Sequence, residues 1–171
     1  MSGMLSEKDI RELMTGETPL VSDCIDFDTQ LQPNGIDMTL HSVYIVQGPG
    51  QIDFDNSARI ISEHREIGFD ASGYITLSQG IYAVRFNEIV HMPKDVAALG
   101  KTRSSLLRCG ASLQTAVWDA GYAGRSESLL IVSNPEGIRL KKDARIMQLV
   151  FFKLNSSGEK LYSGIYQNEN I

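Results

Sequence analysis

The segment from Gly100 to Arg108 carries the densest set of anion-binding groups in the sequence. It reads Gly-Lys-Thr-Arg-Ser-Ser-Leu-Leu-Arg, so two arginines and two serine hydroxyls stand close together. Guanidinium, hydroxyl and main-chain N–H groups suit the oxygens of a polyphosphate. The segment is not a P-loop, because Asp95 stands where the upstream glycine is required and the flanks read as strands rather than strand followed by helix. We therefore predict a phosphate site here without a P-loop.

A second segment, residues 114–124, takes an apolar strand into a turn with Asp119 three residues before Tyr122. One interpretation is a hairpin with an Asx-type turn at Asp119 and a packed tyrosine ring. The other is a carboxylate that acts as general base on water, beside an aromatic ring that forms the floor of a pocket. The residues alone leave both interpretations open.

Three further polar residues lie in apolar strands. Strict alternation along residues 145–149 predicts Arg145 and Met147 on one face and Gln148 on the other. Asp37 lies in another short apolar strand. Without other information, Arg145 and Gln148 read as surface residues and Asp37 as a hydrogen-bonded aspartate near a turn.

The elements that must position these residues are mostly strands. Only one helix is indicated, near the N-terminus, where Ser6 and Asp9 form a capping box and Gly16 follows the apolar face. The rest alternates with period two, or forms short apolar runs between turn residues, which indicates an all-β barrel or distorted jelly roll. We predict a single domain over residues 1–171, with a polar tail from about 155 to 171 that is mobile and serves either no role or as a lid.

Composition narrows the possible partners. The net charge of −5 argues against nonspecific nucleic-acid binding. Residues 1–70 carry 13 acidic and 4 basic side chains, whereas residues 94–145 carry 5 acidic and 9 basic ones, which suits a local site for a small phosphorylated ligand. No apolar run reaches the length of a membrane helix and no signal peptide is apparent, so we expect a soluble cytoplasmic protein with no membrane partner.

Cysteine and histidine chemistry is not indicated. Cys24 and Cys109 are read as small buried apolar residues that build neither a disulfide framework nor a zinc site. His41, His64 and His91 are scattered without metal-type spacing, and we read all three as core or surface residues.

Taken together, these segments resemble the dUTPase/dCTP deaminase family over nearly the whole chain. Five motifs stand in the family's order: Pro33-x-x-x-Asp37-x-x-Leu40, Arg103-Ser104-Ser105-Leu106-x-Arg108, Asp119-x-Gly121-Tyr122-x-Gly124, Arg145-Ile146-x-Gln148-Leu149 and Tyr166-Gln167. The N-terminal helix and the arginine–serine motif look more like the deaminase branch, so the chain resembles an archaeal-type dUTPase within it. The resemblance implies a dUTPase-like jelly roll that forms a homotrimer, with three sites at subunit interfaces, each closed by a tail.

The same resemblance implies residue roles. Asp119 would contact the sugar 3′-hydroxyl and orient the attacking water, and Tyr122 would pack under the deoxyribose and exclude a 2′-hydroxyl. Main-chain groups around Ala116 and Val117 would read the pyrimidine, and Asp37 would support a phosphate-bound Mg²⁺ through water. The remaining substrate-binding residues implied are Arg103, Ser104, Ser105, Arg108, Arg145, Gln148, Tyr166 and Gln167.

The family divides between hydrolysis of dUTP to dUMP and pyrophosphate and deamination of dCTP. Deamination uses a glutamate about ten residues after the motif aspartate, where this chain has Leu129, or Ile131 in a second alignment. Glu127 comes two residues too early, although its even offset keeps it on the same strand face and a local bulge would move it into place. An aliphatic side chain cannot shuttle protons, and the zinc-deaminase motifs are absent. We therefore predict a dUTPase.

Two alternatives stay open at this stage. The first is a dCTP deaminase, alone or combined with dUTPase activity. The second is a non-catalytic nucleotide-binding regulatory module on the same trimeric scaffold.

Overall fold

The computed structural model describes residues 3–156 and 158–171, which form short strands and three short helices. The strands are β1 (Gly3–Met4), β2 (Val21–Ser22), β3 (Leu31–Gln32), β4 (Gly35–Gln47), β5 (Glu63–Ile67), β6 (Tyr74–Leu77), β7 (Gly80–Phe86), β8 (Ile89–His91), β9 (Val96–Thr102), β10 (Ala111–Gln114), β11 (Val117–Trp118), β12 (Ala123–Gly124), β13 (Glu127–Val132), β14 (Ile138–Lys141) and β15 (Arg145–Lys153). The helices are α1 (Glu7–Leu13), α2 (Phe27–Gln30) and α3 (Ser104–Arg108). No helix in the described ranges is long and apolar enough to cross a membrane.

A curled antiparallel sheet forms the body of the molecule. Its strand order is β10-β13-β7-β4-β15-β9-β11, with β1 added to β15 and with β3 and β5 added to β4. Two small sheets, β12-β8-β2 and β14-β6, complete the half-barrel. The predicted all-β, jelly-roll-like fold class is confirmed.

The core fills the concave side of this sheet. Phe86, Leu130, Ile146 and Phe151 are among its fully buried side chains, and burial of such apolar surface is the main stabilising contribution to a fold of this kind. Gly35 begins β4 against the main-chain oxygen of Leu149, where an added Cβ would overlap that oxygen. A glycine here therefore lets β4 lie directly beside β15.

The helices differ in part from the sequence-based prediction. The N-terminal capping box of Ser6 and Asp9 is confirmed. Strands flank the arginine–serine motif as predicted, with β9 before it and β10 after it, but the motif itself forms α3, a helix that the sequence did not predict. A helix of five residues carries too little periodicity to be recognised in a sequence, and tertiary packing of Leu106 into the core holds it. Cys109, directly after this helix, is exposed rather than buried as predicted, and Cys24 is half-buried.

The prediction that side chains alternate strictly between the two faces of the last strand, β15, was also wrong. The register between β15 and β4 shifts between Arg145 and Met147, so two residues of β15 advance against one of β4. Both Ile146 and Met147 are consequently buried, at 2% and 0% exposure. Such a bulge changes the direction of neighbouring side chains. Arg145 directly precedes this bulge and is one of those neighbours.

Candidate active site

Three charged side chains meet where β4, β9 and β15 lie side by side. Asp37 of β4 is paired with Gln148 of β15, and Arg103 directly follows β9. The Oδ2 atom of Asp37 lies 3.2 Å from Nε of Arg103 and 3.3 Å from Nη1 of Arg145. The carboxylate is 1% exposed, whereas the Arg103 and Arg145 side chains are 28% and 34% exposed.

The buried carboxylate of Asp37 orients the guanidinium groups of Arg103 and Arg145. Burial raises the pKa of Asp37, and the positive charges of Arg103 and Arg145 oppose that rise. Arg103 also donates to the main-chain oxygen of Arg145 at 3.3 Å, and Arg145 donates to that of Thr29 at 2.9 Å. The guanidinium groups are thus fixed in orientation while remaining partly open to solvent, which suits recognition of an oxyanion.

The short helix α3 adds further polar groups at this end of the sheet. Ser104, Ser105 and Arg108 all belong to α3 and are exposed. Gln148 is half-buried and pairs with Lys101 near the end of β9. The side chains expected to bind phosphate therefore all lie in α3, in the residue before it, or in β15: Arg103, Ser104, Ser105, Arg108, Arg145 and Gln148. We call them, with Asp37, the arginine–serine cluster.

Asp119 and Tyr122 lie in the turn that follows β11. The N–H of Tyr122 donates to the main-chain oxygen of Asp119 at 3.1 Å, and that of Gly121 donates to the oxygen of Met92 at 3.2 Å. Asp119 is exposed, whereas Tyr122 is only 5% exposed. A Cβ at Gly124 would lie 2.6 Å from the Tyr122 hydroxyl oxygen, so this glycine leaves room for the ring.

The chain's own tail covers the Tyr122 ring. Its hydroxyl donates to Oε1 of Glu169 at 2.8 Å, and its ring meets Tyr162 edge to face, with centroids 5.4 Å apart. Burial raises the pKa of Tyr122, and the hydrogen bond to Glu169 raises it further. Burial also raises the pKa of the Glu169 carboxyl group.

The tail differs from the mobile segment that the sequence suggested. Gln167 donates to the main-chain oxygen of Gly121 at 3.1 Å and accepts from the N–H of Ala123 at 3.2 Å. Asn170 donates to the main-chain oxygen of Arg125 at 3.0 Å. The polar residues that made the tail look mobile are therefore the ones that attach it, and Gln167 uses its amide group for this attachment.

A cavity of about 490 Å³ opens beside Asp119 and Tyr122. Val117 of the edge strand β11 and Ala116, the residue before that strand, line one side of the cavity. Tyr166 lines it from the tail. Of the residues described, none from the arginine–serine cluster contributes to its wall. Ala116, Val117, Asp119, Tyr122 and Tyr166 are thus brought together, apart from the expected phosphate residues.

The pairing of β11 with β9 gives the distance between the cavity residues and the arginine–serine cluster. Trp118 of β11 pairs with Ala98 of β9, so Asp119 lies near the level of Ala97. Arg103 lies six residues further along the same direction, which corresponds to about 20 Å at about 3.3 Å per residue. A triphosphate begins at the 5′-carbon of its sugar, so sugar and phosphate subsites of one site must adjoin. The two groups of residues within one chain cannot serve the same nucleotide.

Strand β13 settles the position of Glu127. Its residues pair with β7 without interruption from Glu127–Arg85 to Val132–Gly80, and Leu129 pairs with Ala83. The bulge that would have moved Glu127 into the position of the deaminase glutamate is therefore absent. Leu129 and Ile131, the two residues that the alignments put at the deaminase position, are both aliphatic, and Glu127 lies two residues before Leu129 on the same strand face.

Glu127 nevertheless belongs to a polar network that sequence reasoning missed. Its Oε1 accepts from Nε and Nη2 of Arg85 at 3.1 and 2.6 Å, and its Oε2 lies 3.2 Å from Nδ1 of His64. The Arg85 guanidinium lies 5.1 Å from the ring centroid of Tyr44. Glu127 and His64 both line the cavity beside Asp119. No local motif links Glu127, Arg85, His64 and Tyr44, because they come from four different strands.

A metal ion held by the protein does not fit these residues. In residues 3–156 and 158–171, no group of three histidine, cysteine, aspartate or glutamate residues is arranged to hold one. The Oδ2 atom of Asp37 already faces two guanidinium groups, whose charge would repel a cation. These contacts argue against direct ligation of a metal ion by Asp37; its expected support of Mg²⁺ through water stays a prediction, and we derive no catalytic step from a bound metal.

A curled antiparallel sheet that carries an arginine–serine cluster and a separate aspartate–tyrosine cavity defines the dUTPase/dCTP deaminase class of proteins. Comparison with known proteins agrees. The chain belongs to the dCTP deaminase-like family, whose model matches residues 4–154, so the family predicted from the five motifs is confirmed.

Relatives of the chain carry a more specific name. A protein of Methanococcoides burtonii named probable deoxyuridine 5′-triphosphate nucleotidohydrolase is 56% identical over 168 residues, which cover 98% of this chain and 99% of that protein. The deoxyuridine 5′-triphosphate nucleotidohydrolase of Methanocaldococcus jannaschii is 39% identical over 141 residues, covering 82% and 88%.

A solved structure is similar as well. The 2′-deoxycytidine 5′-triphosphate deaminase of Agrobacterium tumefaciens matches with a TM-score of 0.63 and 25% identity. The match covers 89% of this chain and 48% of that one, so this chain spans about half the deaminase's length.

Proposed function

We propose that the chain hydrolyses dUTP to dUMP and pyrophosphate, the activity named for relatives 56% and 39% identical to it. The observation that carries the choice of hydrolysis over deamination is the unbroken register of β13, which leaves Leu129 where a deaminase needs a carboxylate. An aliphatic side chain cannot move protons to and from C4 of cytosine. Hydrolysis of a phosphoanhydride depends instead on charge neutralisation and positioning.

Asp119 is the residue that acts on water in this proposal. Its exposed carboxylate lies on the rim of the cavity, where it orients a water molecule and accepts its proton as the bond between the α- and β-phosphates breaks. Tyr122 packs under the deoxyribose, with its ring fixed by the turn. Ala116 and Val117 present main-chain groups at the edge of the sheet, where none of the described strands pairs with the outer side of β11, to read the pyrimidine.

The arginine–serine cluster neutralises the triphosphate. Arg103, Arg145 and Arg108 supply the positive charge, and the serine hydroxyls and Gln148 donate hydrogen bonds. In this proposal any Mg²⁺ arrives bound to the triphosphate, because magnesium readily keeps water and phosphate ligands. Magnesium dependence of the activity stays a prediction from the resemblance.

Each active site is built from more than one copy of the chain. The separation of about 20 Å between Asp119 and Arg103 along β9 supports an assembly in which the cavity of one copy faces the arginine–serine cluster of another. Val117 and its cross-strand partner Leu99 are 54% and 42% exposed at the sheet edge and offer apolar surface for such contact. A homotrimer provides three equivalent sites. The tail, including Tyr166 and Gln167, acts as their lid.

Deamination of dCTP is the second candidate, because Glu127 lines the same cavity. Against it, both carboxylate oxygens of Glu127 already have cationic or ring-nitrogen neighbours in Arg85 and His64. A cytoplasmic location, with neither nucleic acid nor membrane as a partner, stays a prediction from composition.

One experiment tests the proposed function. The protein is incubated with Mg²⁺ and separately with dUTP and dCTP, and the products are identified by chromatography together with ammonia and pyrophosphate assays. We expect dUMP and pyrophosphate from dUTP, no ammonia from dCTP, and a loss of about 10²- to 10⁴-fold in kcat for Asp119→Asn. Asp70→Asn, at an exposed aspartate that contacts Arg139 and belongs neither to the cavity wall nor to the arginine–serine cluster, is the control and keeps full activity.

Two results would contradict the proposal. Ammonia release from dCTP that is lost in Glu127→Gln would establish the deaminase. Binding of dUTP without any product after long incubation would establish a non-catalytic nucleotide-binding module.

A further inference from the structure

His64 is a polar side chain of the cavity wall whose role the proposed reaction does not explain. It stands on β5, where it pairs with Val46 of β4, and it lines the cavity together with Asp119 and Tyr122. Its side chain is 30% exposed, so it is neither a core residue nor a freely solvated one.

The other polar side chains that the sheet contributes to this wall are already engaged. Ser126 accepts from the indole N–H of Trp118 at 3.1 Å, and Glu127 accepts twice from Arg85. Asp119 is assigned to the sugar and water. Within the described part of the sheet, His64 therefore remains to meet a ligand in this cavity.

The neighbours of His64 favour one tautomer. Its Nδ1 atom lies 3.2 Å from Oε2 of Glu127, and an ionised carboxylate accepts but does not donate hydrogen bonds. Arg85 donates to the other oxygen of Glu127, which favours the ionised carboxylate. The proton of a neutral His64 ring is therefore favoured on Nδ1, which leaves Nε2 as an acceptor.

A ring nitrogen that accepts can distinguish uracil from cytosine. At the Watson–Crick edge, N3 of uracil carries a hydrogen and donates, whereas N3 of cytosine is an acceptor. An acceptor in the cavity wall therefore bonds uracil and faces a second acceptor in cytosine. Discrimination of this kind is strong when the site is buried, because a buried polar group is left without a partner by the wrong base.

We propose that His64, oriented by Glu127 and Arg85, is a specificity-determining residue that accepts a hydrogen bond from N3–H of uracil and so selects dUTP over dCTP. This inference rests on the proposed function, since it assumes that the cavity beside Asp119 holds the nucleoside. It adds a side-chain contact to the main-chain recognition assigned to β11.

The test measures the dissociation constants of a non-hydrolysable α,β-imido analogue of dUTP and of dCTP by calorimetry, on the full-length chain. The variants are His64→Phe, His64→Gln and the matched control His41→Phe, which alters an exposed histidine of β4 that does not line the cavity. Thermal unfolding checks that each variant is folded.

We expect His64→Phe to weaken binding of the dUTP analogue by about 10- to 100-fold, with little change for dCTP. We expect His64→Gln to keep most of the affinity for the dUTP analogue and to bind dCTP more tightly than the wild type, because its amide can either accept or donate. His41→Phe should match the wild type for both ligands.

Several outcomes would overturn the inference. An unchanged preference for the dUTP analogue in folded His64→Phe would refute it, as would equal losses for both ligands. If His64→Phe does not fold, an unchanged preference in His64→Gln refutes it instead. Failure of the proposed function is a separate result: the wild type would then bind the dUTP analogue selectively through His64 and yet release no dUMP from dUTP.

Discussion

Replacement of Asp37 by asparagine tests whether this buried carboxylate orients the phosphate-binding arginines. The change keeps the shape of the side chain and removes the charge that lies 3.2 and 3.3 Å from Arg103 and Arg145. At an effective dielectric constant of about 20, a pair at this distance gains about 5 kcal/mol before desolvation is subtracted. Desolvation is substantial here, because burial raises the pKa of Asp37 despite the two arginines.

The net effect on stability lies between two limits. Removal of one partner from a fully buried ion pair costs about 3–5 kcal/mol, and removal from an exposed pair costs about 0–1 kcal/mol. Because Arg103 and Arg145 are 28% and 34% exposed, solvent screens part of the interaction. We expect the free energy of unfolding to fall by about 2 kcal/mol, which lowers Tm by about 4–8 °C for a chain of this length.

Calorimetry and steady-state kinetics provide the readouts. The arginines of Asp37→Asn lose their fixed orientation, so KM for dUTP should rise about tenfold while kcat changes less, as expected for a positioning residue. Asp70→Asn is the matched control, since Asp70 is 50% exposed and contacts Arg139 at 3.3 Å. A Tm and a KM for Asp37→Asn that both equal those of Asp70→Asn would show that the carboxylate does not orient the arginines.

Two further predictions concern the tail and the interior. A chain that ends at Lys160 loses the contacts of Tyr162, Gln167 and Glu169 with the turn at Tyr122. We expect kcat/KM for dUTP to fall at least about tenfold and Tm to change little. An unchanged kcat/KM would refute the proposal that the tail acts as a lid. Glu88 is fully buried, and burial raises the pKa of its carboxyl group above the ordinary value of 4.5. The protonated form of Glu88 therefore stabilises the fold below pH 4.5, and this stabilisation is lost as the pH rises through the pKa of the folded state. The free energy of unfolding of the wild type, measured in urea from pH 4 to 7, should therefore fall with rising pH relative to Glu88→Gln, and a constant difference would contradict the assignment.

The sequence predicts those parts of the site that depend on short motifs. The arginine–serine segment, the Asp119–Tyr122 turn and Arg145–Gln148 are each local, and their order along the chain was enough to identify the family. The all-β class follows from the same kind of local evidence, because alternation of apolar residues and turn residues repeats along most of the chain. None of these inferences needs knowledge of which strands are neighbours.

The missed features depend on contacts between distant segments. His64, Arg85 and Glu127 meet only because β5 and β7 both pair with β4, and β13 pairs with β7. Tyr122 is covered by Glu169 because the tail returns to its own chain, which its polar composition does not reveal. The bulge after Arg145 likewise follows from the pairing of β15 with β4. The alternation of apolar and polar residues in the sequence does not predict it.

A mixing experiment tests most directly that dUTP is hydrolysed at a site shared between copies of the chain. Asp119→Asn and Arg108→Ala each remove one of the two separated groups, so each variant alone should be nearly inactive toward dUTP. After the two are unfolded together and refolded in equal amounts, about a quarter of the sites in a randomly assembled cyclic oligomer combine an intact Asp119 with an intact Arg108. We predict recovery of about a quarter of the wild-type rate of pyrophosphate release, and a mixture no more active than the separate variants would contradict a site shared between copies.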